Sequence, residues 1–547
     1  MQATRLRSRR MALHPAAIRH VLKPFRVALT GGRSKMFIGD AAERSTPGST
    51  LVSGEKRIKA SKNPPFAPRN PNRKCPTRRN ISLNCYNTVT QYLHGLLGVT
   101  SVAWVRPADY FGGPGCFLTV FNLSQSTRQS TNSKPPPVLT TTGGFGEGSS
   151  MQVSLPILVI NSGSSSLKFS LFDPKTETAL ASGIAERLGT DTADLKLVDL
   201  DGVKHEEVIP GADHRSSLLR VINILGNRQR FDVKAIGHRV VHGGEDFRQP
   251  VLVTESVVRR IEELADLAPL HNPASVQGIR VATKLFPDKP QVAVFDTAFH
   301  QTLPDYAFHY AIPYEYYEKY RIRRYGFHGT SHHFVALQAA KLTGKPFDEA
   351  QFISAHLGNG CSAAAIRNGR SVDTTMGLTP LEGLMMGTRS GDVDPSLHLY
   401  LQEKEQRSLQ DITEEILTRR SGLLGISGVS RDMRLVIAAA GEGNERARLA
   451  IEMFCYRLAR SILGLTASLS SIDALIFTGG IGENSAPVRA RVLTHLAILH
   501  PELDQNLNEN HGKGADGRIT SRSGLLCLVI ATNEELMIAR ETALLTA

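Results

Sequence analysis

Six clusters of glycine and polar residues could act on an anionic ligand, and each directly follows a short apolar run. The apolar runs have the length and composition of buried β-strands. Because ligands bind beyond the carboxyl ends of strands in open α/β sheets, we expect the six clusters to assemble into one site. The alternative is that each cluster is an ordinary surface turn. The clusters are NSGSSS (161–166), HGGED (242–246), DTAFH (296–300), LGNG (357–360), GGIGEN (479–484) and TNEE (532–535).

Two of these clusters belong to a weak internal repeat. LVINSGSSSLKFSLFD (158–173) and ISAHLGNGCSAAAIRNGR (353–370) share the order strand, small-residue turn, second strand. Such a repeat predicts two related domains, each of which presents a tight turn to a shared cleft. Gly and Ser in these turns let backbone N–H groups converge on phosphate oxygens, because no bulky side chain intervenes.

The common nucleotide-binding motifs do not occur in the sequence. Neither GxxxxGK[ST] nor GxGxxG after a strand is present, and GKP (344–346) and GGIGENS (479–485) both fail the spacing. If ATP binds to this chain, it must therefore bind to a different scaffold.

Amphipathic stretches alternate with the apolar runs from residue 151 onward. This order favours an α/β fold in which helices cover the sheets. Helices are predicted at 255–267 and 444–469, where apolar residues recur at three- and four-residue spacing. The predicted strands are 155–160, 234–241, 291–295, 351–356, 474–478 and 526–531.

The basic charge of the chain is concentrated at its N-terminal end. The net charge is +13, but residues 1–150 hold 22 of the 64 Lys and Arg residues and only 5 of the 51 Asp and Glu residues. The other 397 residues carry 42 basic against 46 acidic side chains, so they give no electrostatic reason to expect a nucleic-acid partner. No run reaches the roughly 18 apolar residues of a membrane span, so we also expect no membrane partner.

Residues 1–150 differ in composition from the rest of the chain. They are rich in Pro, Gly, Ser and Thr and lack strand or helix periodicity, which predicts a basic, low-complexity, disordered extension. Three explanations stay open: a gene start placed too far upstream of Met151, an organellar targeting segment within residues 1–40, and a nucleic-acid-binding arm. The first is favoured, and a cytoplasmic location is expected with it. The six cysteines form no CxxC pair and no dense secreted pattern, which indicates a reducing compartment.

Nine signatures make residues 151–547 resemble the acetate kinase family, which belongs to the superfamily of sugar kinases, actin and heat-shock chaperones. They match that family in order and spacing, and none falls in residues 1–150. The signatures are VINSGSSSLKFSLFD, GHRVVHGG, LAPLHNP, VFDTAFH, YGFHGTSH, HLGNGCS, TPLEGLMMGTRSGDVDP, FTGGIGEN and TNEELMIAR.

The resemblance implies an α/β fold of two related domains, with a duplicated actin-like, ribonuclease H-like sheet core and an interdomain cleft. It implies an N-terminal domain at 151–298, joined by the C-terminal helix 536–547, and a nucleotide-binding domain at 299–535. It also implies a homodimer.

The activity that the resemblance implies is reversible transfer of a phosphoryl group from ATP to acetate, which gives ADP and acetyl phosphate. A carboxylate acceptor is already ionised at neutral pH, so the reaction needs no general base. Arginines and Mg²⁺ should dominate the site, because the acid anion must approach a polyphosphate. The alternatives are a propionate kinase and an actin-like or chaperone-like ATPase.

Four residues match catalytic residues of the family. Arg239 and Arg389 match arginines that act on the carboxylate and on the transferring phosphoryl group, which suits the planar fork of a guanidinium. His328 matches a histidine that donates a hydrogen bond to the phosphoryl group, and Asp296 matches a catalytic aspartate close to the metal.

Each arginine and His328 also has an alternative interpretation. The arginines could form structural ion pairs with Glu245, Asp246 or Asp392. His328, Ser331, His332 and His333 could suggest a zinc site, but no HExxH motif occurs, and Gly329 directly after His328 predicts against a helix at this point.

The predicted metal ligands are Asn161 and Glu534, with Mg²⁺ as the expected ion and Mn²⁺ as an alternative. Hard oxygen ligands, completed by water and phosphate, are what Mg²⁺ prefers. Asn161 could instead shape its turn, and Glu534 could instead complement a helix dipole after Thr532 and Asn533.

The resemblance implies three nucleotide-binding segments and one lysine. Lys168 could equally be a surface lysine, and VSRDMR departs slightly from the commoner family pattern, which puts the ribose contacts in doubt. The matching residues are Lys168, His356, Leu357, Gly358, Asn359, Gly360, Asp432, Met433, Arg434, Gly479, Gly480, Ile481, Gly482 and Glu483.

The acid pocket is expected to combine Arg239 with an apolar wall and a second histidine. One methylene is worth only about 1–3 kcal/mol in such a pocket, so acetate is the favoured substrate and propionate the near alternative. The other residues that match this pocket are Val241, Leu270, His271, Phe327 and Pro380.

Overall fold

The computed structural model describes residues 155–226, 232–269 and 271–547. These residues lie within one compact unit, 147–547. The predictions for residues 1–150, and the predicted pocket residue Leu270, lie outside the described residues. Within the described part of the chain, no helix is long and apolar enough to cross a membrane.

The described part of the chain begins with a large sheet of eight strands. They are β1 (Ile157–Ser162), β2 (Ser166–Phe172), β3 (Ala179–Glu186), β4 (Asp194–Val198), β5 (Lys204–Val208), β6 (Ala235–Val240), β7 (Val251–Leu252) and β8 (Gln291–Phe295). Their order in the sheet is β5-β4-β3-β2-β1-β6-β8-β7. β1 pairs antiparallel with β2 and parallel with β6, and β6 pairs parallel with β8.

The second sheet has five strands, and a separate two-stranded ribbon lies near the C-terminal end. The strands are β9 (Gln351–Leu357), β10 (Cys361–Arg367), β11 (Arg370–Thr374), β12 (Ala474–Thr478), β13 (Pro501–Leu503), β14 (Thr520–Gly524) and β15 (Cys527–Val529). The sheet order is β11-β10-β9-β12-β15, and β13 pairs with β14. β9 pairs antiparallel with β10 and parallel with β12, which pairs parallel with β15.

The two sheets repeat one core topology. In the first sheet the run β3-β2-β1-β6-β8 has the same order and the same strand directions as β11-β10-β9-β12-β15 in the second. Each run starts with a hairpin closed by a three-residue turn, residues 163–165 in one and 358–360 in the other. The expected α/β fold with a duplicated sheet core is therefore confirmed.

Fifteen α-helical segments connect these strands in the described residues. They are α1 (His214–Gly226), α2 (Glu255–Glu263), α3 (Asn272–Leu285), α4 (Asp305–Phe308), α5 (Glu315–Tyr320), α6 (Gly329–Thr343), α7 (Ser396–Glu405), α8 (Leu409–Asp411), α9 (Gly422–Ser427), α10 (Met433–Gly441), α11 (Glu445–Leu465), α12 (Gly479–Asn484), α13 (Ala486–His495), α14 (Gln505–Glu509) and α15 (Glu534–Leu545). A π-helical segment (Ile412–Arg419) follows α8 directly.

Strand periodicity divides the apolar core into layers. Along β1, Leu158 and Ile160 face one cluster of buried side chains, while Ile157 and Val159 face another. The second cluster also contains buried residues of β9 and β12 and of the helices α6 and α15. These two helices therefore lie between the two sheets and connect their cores.

The six predicted strands are confirmed, and the predicted helices end earlier than expected. Helix α2 gives way to a 3₁₀ turn at Leu264–Leu267, and α11 ends at Leu465 before another 3₁₀ turn. Asn444 caps α11 by accepting a hydrogen bond from the Ala447 N–H, so it lies just outside the helix. The division into 151–298 and 299–535 stays a prediction, although α15 does pack on the first sheet, where a Cβ on Gly237 would lie 2.4 Å from Thr542 Oγ1.

Candidate active site

The six polar clusters lie where the sheets end. β1, β6 and β8 are mutually parallel, as are β9, β12 and β15, so each set of strands presents its carboxyl ends at one edge of its sheet. One cluster follows each of these six strands. This is the arrangement expected of an α/β site assembled from strand exits.

A buried charge centre joins the exits of β1, β6 and β8. Asp296 is 2% exposed and accepts two hydrogen bonds from Arg239, from Nε to Oδ1 at 3.2 Å and from Nη2 to Oδ2 at 2.5 Å. Nη1 of Arg239 also donates to Asn161 Oδ1 at 3.4 Å. The bidentate geometry holds the guanidinium in one orientation above the sheet edge.

Glu534 adds a second carboxylate to this centre from the start of α15. Burial raises the pKa of Asp296; the charge of Arg239 opposes that shift, and the charge of Glu534 reinforces it. Burial alone would lower the pKa of Arg239, but the charges of Asp296 and Glu534 outweigh it and raise the pKa. Glu534 is also the first residue of α15, directly after the N-cap Asn533. It therefore lies both at the start of a helix, as its alternative interpretation expects, and near Asp296.

The donor set of this centre fits Mg²⁺. Asn161, Asp296 and Glu534 offer amide and carboxylate oxygens, and the two carboxylates lie close enough to act on each other's charge. Within the described ranges, no group of three or more His, Cys, Asp or Glu side chains is arranged to hold a metal ion. Two carboxylates and an amide leave the remaining positions of an octahedral ion to water and phosphate, as Mg²⁺ prefers.

Lys168 lies beside this centre on β2. Its Nζ forms an ion pair of 2.5 Å with Glu535, the neighbour of Glu534, and the lysine side chain is half exposed. Ser170 on the same strand donates to the other oxygen of Glu535. Lys168 therefore has a carboxylate partner on α15.

The alternative ion pairs of the two arginines do not form. Glu245 accepts a hydrogen bond from Arg323 Nη1 at 2.9 Å, and Asp246 pairs with Arg260 at 2.9 Å. Asp392 accepts from the backbone N–H of Gly383. Arg389 has no carboxylate partner among the described residues, and burial lowers its pKa against a small opposing effect of Cys361.

Arg389 and His328 meet at the turn between β9 and β10. A Cβ placed on Gly360 would lie 3.3 Å from Arg389 Nη1 and 3.5 Å from both Cε1 and Nε2 of His328. Any side chain at Gly360 would therefore stand between the two groups. The guanidinium is held from behind by a 3.0 Å hydrogen bond from Nη1 to the carbonyl oxygen of Pro380.

His328 occupies a strained position directly before α6. Its φ is +56°, in the left-handed region that residues other than glycine seldom adopt. The prediction that Gly329 disfavours a helix here is wrong, because α6 begins at Gly329. That glycine is needed for close packing: a Cβ would lie 2.3 Å from the carbonyl oxygen of Asp296, which accepts its N–H at 2.8 Å.

Two stacked imidazoles face the same turn. His328 and His356 have ring centroids 4.3 Å apart, and Nδ1 of each ring is hydrogen bonded to a serine, Ser362 and Ser331 respectively. In the described part of the chain neither Nε2 has a hydrogen-bond partner. Burial lowers the pKa of His356 to about 4 and, with the charges of His356, His332 and both arginines, lowers that of His328 well below its usual value. Both rings are therefore neutral at neutral pH.

The Gly-rich segment after β12 packs directly on the turn after β9. Gly479 has a φ of +75°, and a Cβ there would lie 2.9 Å from the backbone N and O of Leu357. Glu483 Oε1 accepts from the N–H groups of Gly479 at 2.9 Å and Thr532 at 3.1 Å. The Glu483 carboxylate therefore ties the exits of β12 and β15 together, and the nucleotide role predicted for Glu483 stays a prediction.

The other predicted nucleotide residues surround these loops. Gly387 separates Asn359 from the segment at 431, since its Cβ would lie 2.4 Å from Asn359 Oδ1 and 3.2 Å from the Arg431 carbonyl oxygen. Asp432 caps α10 through the Arg434 N–H, and the Arg434 side chain is largely exposed. Of the remaining predicted residues, Met433 and Gly482 are buried, Gly358 and Ile481 are partly buried, and Gly480 is exposed to open space.

The predicted apolar wall lies beside the arginines. Val241 and Phe327 are buried in the same core cluster. Pro380 accepts the Arg389 hydrogen bond, so this part of the wall and the guanidinium are joined. His271, which directly precedes α3, has its pKa lowered by burial and by the charges of Arg239 and Arg389, with Asp296 opposing.

Sequence reasoning missed the serines that hold the histidines. Ser362, Ser331 and Ser354 each contact a histidine ring, yet the sequence marks them only as small residues near glycines. The spacing of four between His328 and His332 would have placed both rings on one helix face. That signal was lost because Gly329 argued against a helix.

Known proteins match the same region of the chain that carries the candidate site. Residues 156–540 match the model of the acetokinase family. The acetate kinases of Halothermothrix orenii and Thermotoga maritima are 49% and 50% identical to this chain over 397 residues, which is 71% of this chain and 99% and 97% of the relatives. A solved propionate kinase from Francisella tularensis has a TM-score of 0.68 and 45% identity, covering 71% of this chain and 99% of its own. The solved acetate kinase from Porphyromonas gingivalis has a TM-score of 0.67 and 40% identity, covering 72% and 100%.

Proposed function

Because this chain belongs to the acetokinase family, we propose that it transfers the terminal phosphoryl group of ATP to acetate. The products are acetyl phosphate and ADP, and the reaction runs in both directions. The acid and ATP are the two substrates.

The observation that carries the proposal is a shared electrostatic environment. The charges of both Arg239 and Arg389 act on His271 and on His328. Two guanidinium groups therefore act on the same two histidines: Arg239 is paired with Asp296, and Arg389 has no carboxylate partner among the described residues. An acid anion and a phosphoryl group brought together need such a position, because their repulsion must be offset by fixed positive charge.

In this proposal the acid lies between Arg239 and the apolar wall. Asp296 orients Arg239 through Nε and Nη2, and the remaining N–H groups of the fork bind the carboxylate. Val241, Phe327 and Pro380 border the methyl group. The acid attacks in line and needs no base, because it is already ionised.

Arg389 and His328 stabilise the phosphoryl group during transfer. Arg389 Nη1 and His328 Nε2 both approach the turn at Gly360, where the backbone N–H groups of Asn359 and Gly360 hold phosphate oxygens, while the Gly358 N–H donates to the Gly360 carbonyl oxygen at 3.0 Å. A neutral His328 donates from Nε2 without adding charge. The segments at 432–434 and 479–483 hold the nucleoside.

Asn161, Asp296 and Glu534 would hold Mg²⁺, with Mn²⁺ as the alternative ion. When bound, the ion neutralises negative charge on the phosphate oxygens. Arg239 remains paired with Asp296 and keeps its orientation toward the acid.

The test is trapping of the product with hydroxylamine. Full-length protein with ATP and Mg²⁺ should form an acyl hydroxamate only when acetate is added. ATP hydrolysis at the same rate with and without acid, and no hydroxamate, would contradict the proposal and favour an ATPase of the actin or chaperone type.

Propionate kinase is the second candidate, because a solved propionate kinase is 45% identical to this chain. The two candidate functions are distinguished by measuring kcat/KM for acetate and for propionate on the same preparation. A higher value for propionate would replace acetate as the substrate without changing the roles of the arginines.

Two further parts of the proposal concern assembly and location. The family resemblance favours a homodimer, which sedimentation equilibrium of the full chain would test; a monomer at assay concentrations would contradict it. A cytoplasmic location would be contradicted by fractionation of the native protein with organelles.

A further inference from the structure

We propose that Ser362, His332 and Ser354 form a hydrogen-bond chain that couples to the tautomer of His328, so that Nε2 of His328 carries the proton when a phosphoryl group faces it. These three are positioning residues that act through His328. The inference rests on the proposed function only for the identity of the anion at Nε2.

The chain is continuous and short. Ser354 Oγ lies 2.5 Å from His332 Nδ1, and Ser362 Oγ lies 2.8 Å from His332 Nε2. Ser362 Oγ also lies 2.9 Å from His328 Nδ1. Ser354, Ser362 and His332 are fully buried, so water does not substitute for any link.

Rigid elements hold every member of the chain. Ser354 lies on β9 and Ser362 on the adjacent strand β10, while His332 lies one turn into α6. His328 directly precedes the same helix. The four groups therefore keep their distances without support from a mobile loop.

The count of protons makes the chain directional. The hydroxyl of Ser362 has one proton but contacts two ring nitrogens, so it can donate to only one and must accept from the other. If Ser362 donates to His328 Nδ1, then it accepts from His332 Nε2–H, and His332 Nδ1 accepts from Ser354. His328 then carries its proton on Nε2.

The opposite direction is the competing state. There Ser354 accepts from His332 Nδ1–H, Ser362 donates to His332 Nε2 and accepts from His328 Nδ1–H. His328 Nε2 would then present a lone pair toward Gly360 and Arg389. An anion at that position repels a lone pair and accepts from an N–H, so it selects the first direction along all four groups.

Both rings must be neutral for tautomers to matter. Burial is the largest cause that lowers the pKa of His332 well below its usual value, and the same holds for His328. Each ring therefore carries one proton at neutral pH, and its position is decided by hydrogen bonds.

The direct test is nitrogen NMR of the full protein labelled with ¹⁵N-histidine. With Mg²⁺ and the non-hydrolysable analogue AMPPNP, His328 and His332 should both show a protonated Nε2 and an unprotonated Nδ1. Signals are assigned by their loss in His328→Gln and His332→Gln. A protonated Nδ1 on His328 in the nucleotide complex overturns the inference. This measurement needs neither turnover nor a substitution in the hydrogen-bond chain.

The kinetic test is a double-mutant cycle between Ser362→Ala and His328→Gln. Ser362→Ala should lower kcat by about tenfold with KM for ATP changed much less, because one preorganised hydrogen bond in the transition state is weakened. In the His328→Gln background the same change should have no further effect on kcat. Equal effects in both backgrounds would mean that Ser362 does not act through His328.

Ser371→Ala is the matched control. Ser371 is also buried, and its Oγ lies 2.8 Å from Nδ1 of another buried histidine, His300. This variant removes the same kind of contact outside the chain and should keep kcat near the wild-type value. A loss equal to that of Ser362→Ala would assign both effects to packing.

The tests separate this inference from the proposed function. Wild-type protein that forms no acyl hydroxamate contradicts the function, whereas the tautomer of His328 with AMPPNP is still decided by NMR. If the wild-type protein is active and the Ser362→Ala variant has the same kcat, the inference alone is contradicted.

Discussion

The two sheets share a topology but end in different chemistry. One position before the last pair, the β1–β2 hairpin has the cross-strand pair Asn161 and Lys168, and the equivalent pair in the β9–β10 hairpin is His356 and Ser362. The fifth strand of each core, β8 in one and β15 in the other, leads to a carboxylate, Asp296 directly and Glu534 five residues on.

This difference shows that the scaffold and the chemistry are separable. The first half supplies ionised groups, with Arg239 and Asp296 paired in the bidentate manner of a buried ion pair. The second half adds glycine turns and neutral imidazoles, whose N–H groups can donate to an anion, to the charged groups of Arg389 and Glu534. One topology thus carries two kinds of site, because the chemistry resides in the few residues after each strand.

The largest expected effect separates the two arginines. Arg389→Ala should lower kcat by about 10²–10³ and leave stability nearly unchanged, because Arg389 has no carboxylate partner in the described part of the chain. Arg239→Ala should lose kcat to a similar degree and also about 3–5 kcal/mol of stability, because Asp296 is left buried and unpaired. Initial rates and urea unfolding measure the two quantities.

The lysine variants are the controls for this comparison. Arg239→Lys and Arg389→Lys keep the charge but lose the planar fork, so partial activity in both would show that geometry and charge contribute separately. Equal stability losses in the two alanine variants would remove the distinction between the arginines.

The next largest effect concerns Glu534 and Asp296, the two carboxylates that follow the equivalent strands β15 and β8. Glu534→Gln should raise the Mg²⁺ concentration for half-maximal rate by at least about tenfold, since a charged oxygen ligand becomes neutral. Asp296→Asn should do the same and also weaken the orientation of Arg239. A titration of rate against Mg²⁺ at saturating ATP measures this, with Glu535→Gln as the matched control on the same helix.

An unchanged Mg²⁺ requirement in Glu534→Gln would place the metal elsewhere. It would also leave Glu534 with only the role of completing the first turn of α15.

A smaller effect is expected where the second half is tied together. Glu483→Ala leaves the N–H groups of Gly479 and Thr532 unpaired, which should cost about 1–3 kcal/mol each at most. Glu483→Gln keeps an acceptor oxygen and should be milder in both stability and KM for ATP. If Glu483→Gln raises KM for ATP as much as Glu483→Ala does, the carboxylate charge itself acts on the nucleotide.

The smallest effect is a dependence of stability on pH through a buried histidine of the first sheet. Burial lowers the pKa of His238 from 6.5 to about 4, with its hydrogen bond to Gln291 opposing. Above pH 6.5 the ring is neutral in both folded and unfolded chains, so it adds no pH dependence. As the pH falls from 6.5 toward 4, the unfolded chain binds a proton that the folded chain does not, and stability is lost.

His238→Gln should therefore reduce the slope of stability against pH in that window, by up to about 1.4 kcal/mol per pH unit. Urea unfolding at pH 5 and pH 7 measures the change. A slope identical to wild type would mean that His238 is protonated in the folded protein.

Much of the fold could be predicted from the sequence because its signals are local. An apolar run followed directly by a charged residue marked β8 and Asp296 without reference to the rest of the chain. The edge strand β5 was missed, because KHEEV has no apolar alternation and only partial burial. Antiparallel pairing with β4 holds these residues as a strand, although their own sequence does not indicate one.

The site could be predicted in its charges but not in its hydrogen bonds. Arg239 and Asp296 each stand out as a charged residue among apolar or small neighbours in the sequence. The role of Ser362 depends on partners 30 and 34 residues away, His332 and His328, and nothing in the residues beside it indicates them.

The close approach of Gly329 to the Asp296 carbonyl has a mechanical meaning. It ties the exit of β8 in one sheet to the start of α6, which packs on the other, with no room for even a methyl group between them. His328 and Asp296 both adjoin this contact, one on each side, so the contact sets the spacing between the two groups without the help of a ligand.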